Sequence, residues 1–209
     1  MKLQLALDIF SLEEALALTE KVKDYVDIIE IGTPFVVESG MEAVRRFRQA
    51  FPDKEILSDT KIMDVAELEA ASAFEAGADY VTVLAVTDRI TLECAVQIAD
   101  KYGKKIVADM ICVKDIPAKV AELEEIGVHC IAVHTGVDAQ KLGKTPLEDL
   151  KLIKKYSKKA EVFVAGGISE KTIPEYKAQN PDVMIIGGGI GSAADPVKAA
   201  AAMAELIHH

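Results

Sequence analysis

A chain of 209 residues, half of them apolar and 28% charged, can bury a full core and is globular rather than disordered in composition. Its formal net charge of −10 argues against nucleic acid or an anionic membrane as partner, because such surfaces are met with an excess of Lys and Arg. A single phosphate group stays compatible with that charge, since backbone amides can hold it unaided.

No apolar stretch reaches the roughly 18 residues of a membrane span, and the chain runs straight into Leu3-Gln4-Leu5-Ala6-Leu7-Asp8 with no signal peptide. The three cysteines, Cys94, Cys112 and Cys130, are odd in number and lack CxxC spacing. Neither a disulfide framework nor a zinc site is signalled, and each thiol is expected to fill a small buried space. A cytoplasmic protein is the expectation.

From the N-terminus onward, short β-rich runs alternate with segments of helical period. The strand-like runs are 3–7, 26–31, 55–58, 80–84, 105–110, 130–133, 161–165 and 183–186. Ser11-Leu12-Glu13-Glu14 has the form of a capping box, Asp88 precedes a long amphipathic run, and Asp195-Pro196 places a cap before proline at the first helical position. Gly77, Gly103 and Gly127 sit where helices should stop. Eight strand–helix units with nothing left over predict a (β/α)8 TIM barrel, an α/β fold, as one domain over residues 1–209. A doubly wound open sheet fits less well, because it favours a glycine-rich turn after its first strand. Here that strand ends in Asp8-Ile9-Phe10 and the glycines gather late.

Chemistry in such a barrel belongs at the C-terminal ends of the strands. Those positions hold Asp8, Glu30, Asp59, Lys61, Asp109 and His134, then Gly166-Gly167 and Gly187-Gly188-Gly189. Lys105 opens its strand and is expected to be a solvated charge on the opposite face. In Asp59-Thr60-Lys61-Ile62-Met63-Asp64, a strand period of two turns Asp59 and Lys61 inward, while Asp64 falls just before the next helix. A lysine between two carboxylates keeps its charge, which suits it to stabilising an oxyanion more than to attacking a carbonyl. The plainer alternative is a structural ion pair and a helix cap. Glu30 and Asp59 offer hard oxygen ligands for Mg²⁺, or Mn²⁺, unless Glu30 simply pairs with Lys61. His129 and His134 are an odd number of residues apart, so only His134 can face the mouth, and a two-histidine metal site cannot be assembled. His134 reads as an acid/base, or as a histidine bonded to backbone. The other two histidines, His208 and His209, form the tail. Gly166, Gly167, Gly188 and Gly189 occupy the two loops where this fold cradles phosphate.

The set Asp8, Glu30, Asp59-x-Lys61-x-x-Asp64 and His134 resembles the orotidine-5'-monophosphate decarboxylase superfamily. Within it, the chain is similar to the branch of hexulose-phosphate synthases and keto-gulonate-phosphate decarboxylases, along nearly its whole length. The decarboxylases of that branch carry an Arg three residues after the histidine and another among the second phosphate-loop glycines. This chain has Val137 and a glycine there, so the resemblance leans to the synthases.

That resemblance implies a metal-assisted aldol reaction of formaldehyde with D-ribulose 5-phosphate through a 1,2-enediolate. Glu30 and Asp59 would hold Mg²⁺ and His134 would take the C1 proton. Lys61 would stabilise the enediolate, and Asp8 would hold substrate hydroxyls and help fix Lys61. Asp64 would enter the active site of a neighbouring subunit, which implies a homodimer with shared sites. Rival expectations are 3-keto-L-gulonate-6-phosphate decarboxylation, a Schiff-base aldolase with Lys61 as nucleophile, and a non-catalytic phosphosugar-binding barrel.

Overall fold

The computed structural model describes residues 1–8 and 11–209. Ile9 and Phe10, expected to follow the first strand, lie outside the described residues. Eight parallel strands close into a barrel in sequence order: β1 Lys2–Leu7, β2 Ile28–Ile31, β3 Glu55–Ile62, β4 Tyr80–Leu84, β5 Lys105–Asp109, β6 Cys130–His134, β7 Glu161–Ala165 and β8 Val183–Ile186. Closure comes from β1, which pairs with β2 on one side and with β8 on the other. The expected (β/α)8 barrel is the fold observed.

Parallel strands covered by helices are apolar on both faces, which explains runs such as Ile28-Ile29-Glu30-Ile31, where a lone polar residue is conspicuous. Outward-facing residues pack under the helices in one large cluster. Inward-facing Ile28, Leu57, Tyr80, Val107, Cys130, Ala132, Phe163 and Val183 form a second cluster that plugs the barrel. Below the plug, Lys2 pairs with Glu55 and Lys105 with Glu161, and Tyr80 donates to Glu55 at 2.9 Å. Lys105 is, as expected, a partly solvent-exposed charge of the bottom face, and it is ion-paired there with Glu161.

The helix punctuation follows the local chemistry. Ser11 and Glu14 close a capping box ahead of the helix Leu12–Val22, and Asp195 accepts from the amide of Lys198 at the start of Pro196–His208. Asp88 holds the cap position of Arg89–Tyr102 without a side-chain bond. Gly77, Gly103 and Gly127 end their helices in the left-handed region. Replacing Ser11 with alanine is expected to cost about 1 kcal/mol, read as a lowered urea midpoint, because the amide of Glu14 loses its acceptor.

Two boundaries differ from expectation by more than one residue. β2 starts at Ile28 rather than at 26, because Lys23–Tyr25 form a 3-10 turn and the amide of Val26 still bonds to Lys23. β3 continues to Ile62, four residues past its expected end. Among the cysteines, Cys130 is buried and Cys94 half-buried, whereas Cys112 is exposed on a left-handed turn, contrary to its expected burial. No helix among the described residues is long and apolar enough to cross a membrane.

Candidate active site

A cavity of about 320 Å³ opens at the C-terminal end of the strands, above the apolar plug. Its extra length lets β3 bring two charged side chains to it. Between Ser58 and Ile62 the register of β3 against β4 shifts, and Lys61 takes a φ of +49°. Thr82 of β4 secures this irregularity: its hydroxyl accepts from the Lys61 amide at 2.9 Å and donates to Asp59 Oδ1 at 2.7 Å. Thr33, the first residue of the helix Thr33–Ser39 that follows β2, donates to Asp59 Oδ2 at 2.8 Å.

The ammonium of Lys61 lies 2.9 Å from Asp59 Oδ2 and 2.9 Å from Asp109 Oδ2. The same Asp109 oxygen is 2.8 Å from His134 Nδ1, and its other oxygen accepts from the amide of Ile111 at 2.9 Å. The second carboxylate flanking Lys61 is thus Asp109 of β5, and not Asp64. Asp64 lies beyond the end of β3, exposed, and accepts from the amide of Val65 at 2.8 Å. With Nδ1 engaged by an acceptor, the Nε2 edge of His134 has no hydrogen-bond partner among the described residues, and the ring lines the cavity. His129, by contrast, sits below the strand ends, where it accepts from the Ile106 amide and pairs with Asp100.

Glu30, on β2, is buried, and its carboxylate accepts from Gln4 Nε2 at 2.6 Å. It does not pair with Lys61, whose two acid partners are Asp59 and Asp109. Asp8 also lines the cavity, but no hydrogen bond joins it to Lys61 among the described residues. Its carboxylate stands against Gly32, where a Cβ would collide with Asp8 Oδ1 and come within 2.8 Å of the Leu7 carbonyl. Gly32→Ala is therefore expected to displace Asp8, costing about 1–3 kcal/mol of stability by overpacking and at least ten-fold in turnover. Urea titration and initial rates check the two effects separately.

The electrostatics are dominated by crowded carboxylates. Burial pushes the pKa of Glu30 well above the usual carboxylate range, and repulsion from Asp59 and Asp8 adds to this while Gln4 opposes it. Asp8 is raised by burial and by Asp59. Burial would depress Lys61, but the charges of Asp59 and Asp109 outweigh it and raise its pKa. For Asp109, burial is again overcome, here by the His134 hydrogen bond and charge and by Lys61, and the pKa falls to about 2.

A carboxyl whose folded pKa lies below its unfolded value of about 3.9 adds stability that is complete above pH 4 and lost as pH falls through 2. Asp109 is expected to contribute about 2 kcal/mol in this way. Urea midpoints measured from pH 5 to pH 2 should fall more steeply for the native protein than for Asp109→Asn.

The glycines close the other side of the cavity. Gly166 and Gly167 follow β7 with φ of +126° and +67°, and Gly188 and Gly189 start the four-residue turn of helix after β8. All four line the cavity, and a Cβ at Gly166 would press to 2.9 Å from the Thr135 carbonyl. The structure therefore brings together Asp8, Glu30, Asp59, Lys61, His134 and these glycines, and leaves Asp64 outside.

For a divalent cation, no cluster of three or more His, Cys, Asp or Glu ligands is set up among the described residues. An ion that keeps several waters needs no such cluster, and hard carboxylate oxygens suit Mg²⁺. Glu30 beside Asp59 and Asp8 is an excess of negative charge that a dication would relieve. The donor set fits.

A family model described as orotidine 5'-phosphate decarboxylase / HUMPS matches residues 1–203. A protein of Bacillus subtilis (strain 168) named 3-hexulose-6-phosphate synthase is 48% identical over 207 residues, covering 99% of both chains. A crystal structure of 3-hexulose-6-phosphate synthase from Salmonella typhimurium superposes with a TM-score of 0.98 at 48% identity, covering all of both chains. A structure of 3-keto-L-gulonate-6-phosphate decarboxylase from Vibrio cholerae superposes with a TM-score of 0.88 at 27% identity, covering 99% of this chain and 97% of that one. On this match to its sequence and its barrel, the chain belongs to the orotidine 5'-phosphate decarboxylase / HUMPS family.

Proposed function

We propose that the chain has 3-hexulose-6-phosphate synthase activity, an aldehyde-lyase reaction joining formaldehyde to C1 of D-ribulose 5-phosphate. The observation that carries this reading is the hydrogen-bonded series Asp59–Lys61–Asp109–His134 lining one cavity together with Glu30 and the glycines of two loops. Identity of 46–48% to relatives named for that activity supports it, against 27% to the decarboxylase structure.

Glu30 and Asp59 would hold Mg²⁺ or Mn²⁺, which when bound supplies Lewis-acid polarisation of the substrate carbonyl. Backbone amides at Gly166, Gly167, Gly188 and Gly189 would bind the phosphate and anchor the sugar. His134, its Nδ1–H turned to Asp109, would use Nε2 to take the C1 proton. The Lys61 ammonium would stabilise the oxygen that gains charge in the enediolate, and Asp8 would accept from substrate hydroxyls. C1 would then attack formaldehyde, forming the new C–C bond, and the proton held on His134 would pass to the aldehyde oxygen. With its ammonium engaged by two acids, Lys61 is unsuited to Schiff-base formation.

Incubation with ribulose 5-phosphate, formaldehyde and Mg²⁺, beside a parallel assay with 3-keto-L-gulonate 6-phosphate, tests the assignment. Formaldehyde consumption should be the faster reaction; faster CO₂ release would overturn it. EDTA should abolish turnover and added Mg²⁺ or Mn²⁺ restore it.

A homodimer with shared sites belongs to the same reading. Asp64 stands on the rim among the exposed apolar residues Met63, Val65 and Leu68. A second copy covering this patch would receive the Asp64 carboxylate in its own cavity. Mixing Asp64→Asn with His134→Asn subunits should then return about a quarter of native activity, since half the re-formed dimers carry one intact site. No gain on mixing would rule out sharing. A cytoplasmic location suits the three unpaired thiols.

A further inference from the structure

One polar side chain on the floor of the cavity has no part in the chemistry described above. Gln4 of β1 is fully buried and lines the cavity two residues below the rim position Ala6. Its neighbours on that floor, Leu57, Val107, Ala132 and Ile185, are all apolar. The Gln4 amide nitrogen donates to Glu30 Oε2 at 2.6 Å, while its carbonyl oxygen, also buried, has no partner among the described residues.

An amide in this layer is costly. A leucine or methionine would complete the apolar plug, whereas a buried acceptor without a donor bears its full desolvation penalty. Native interiors pair such groups, so an orphan beside a cavity points to a partner that arrives with a ligand. The geometry of the donor end is equally specific. Glu30 has several bonds of rotational freedom and is bordered by the like charges of Asp59 and Asp8. Among the described residues, the Gln4 amide is its only side-chain hydrogen-bond partner.

We propose that Gln4 is a positioning residue for the Glu30 carboxylate. Its N–H fixes one carboxylate oxygen, so that the other is presented to the cation, and its carbonyl oxygen accepts from a water or hydroxyl bound with that cation. The inference rests on Glu30 being a cation ligand. It assigns Gln4 to the outer layer of contacts that orient metal ligands, where substitution typically weakens metal affinity about 10–100-fold.

The test uses Mn²⁺ alone, titrated into metal-free protein and followed by electron paramagnetic resonance, with inorganic phosphate binding at the glycine loops as a control for the rest of the cavity. Gln4→Met keeps the length and volume of the side chain and removes both hydrogen-bonding ends. Mn²⁺ affinity should fall by about 10–100-fold while phosphate affinity stays unchanged. Native protein that binds Mn²⁺ no better than Glu30→Gln would remove the premise about Glu30. Native protein that binds it, beside a Gln4→Met protein of equal affinity, would overturn the role of Gln4 alone. Equal losses of Mn²⁺ and phosphate binding would show general damage to the barrel and also overturn it. Should Gln4→Met not fold, Gln4→Asn, which withdraws the amide by one methylene, carries the same expectation and the same overturning results.

Discussion

Lys61→Met is expected to lower kcat by at least about 10²–10³-fold, the usual effect of deleting one preorganised group that stabilises a developing oxyanion. The ammonium lies 2.9 Å from each of two acids and is therefore fixed before substrate arrives. Its loss has a second consequence, because Asp59 and Asp109 are both buried. Removing one member of a buried pair strands the other, a cost of about 3–5 kcal/mol for fully desolvated groups. Lys61 keeps about a fifth of its side chain exposed, so a loss near 3 kcal/mol is expected in metal-free protein at neutral pH. Steady-state kinetics and urea titration measure the two effects. Wild-type kcat in the variant would eliminate Lys61 from the reaction.

His134→Gln should reduce turnover by about 10²–10⁴-fold, the range for losing a positioned general base. Overall rate alone would not say which step has failed. In D₂O, and without formaldehyde, the native protein should exchange the C1 hydrogen of ribulose 5-phosphate with solvent, visible by proton NMR. The variant should lose that exchange in step with turnover. Retained exchange with lost aldol formation would move the base elsewhere and leave His134 a role in protonating the product. Asp109 makes a related prediction: it accepts from Nδ1 and so sets which nitrogen is free, and Asp109→Asn should weaken exchange without removing the imidazole.

How much of this is visible in the sequence depends on whether the cause is local. Several barrel strands are apolar runs that meet a polar residue at or near their C-terminal ends, so Asp8, Glu30, Asp59 and His134 announce the catalytic end by position alone. The alternation of Asp59 and Lys61 carries the same information over three residues. Local pattern does not contain the bulge in β3, because Thr82 on the neighbouring strand holds it. The only trace of Thr82 in the sequence is a hydroxyl interrupting Tyr80-Val81-Thr82-Val83-Leu84.

Asp109 is recognisable as a strand end, yet its partners lie 48 residues before it and 25 after it, and neither distance is encoded locally. Spacing alone makes Asp64 the second acid beside Lys61. The structure differs because β3 ends at Ile62, and Asp64 then lies on the rim. Gln4 leaves one signal, an amide in the middle of Leu3-Gln4-Leu5-Ala6-Leu7, and apolar periodicity gives it no meaning until Glu30 stands beside it. The exposure of Cys112 likewise depends on a left-handed turn that composition does not reveal.

The pairing of β1 with β8 has a consequence for how the molecule is made. A ribosome delivers β1 first and its second neighbour almost last, so one edge of the opening strand stays bare throughout synthesis. That strand also leads to Asp8 and carries Gln4, so neither wall nor floor of the cavity can assemble until the final strand emerges. Nascent chains halted before Val183 should consequently be protease-sensitive and bind no sugar phosphate, with both properties gained together once β8 clears the exit tunnel.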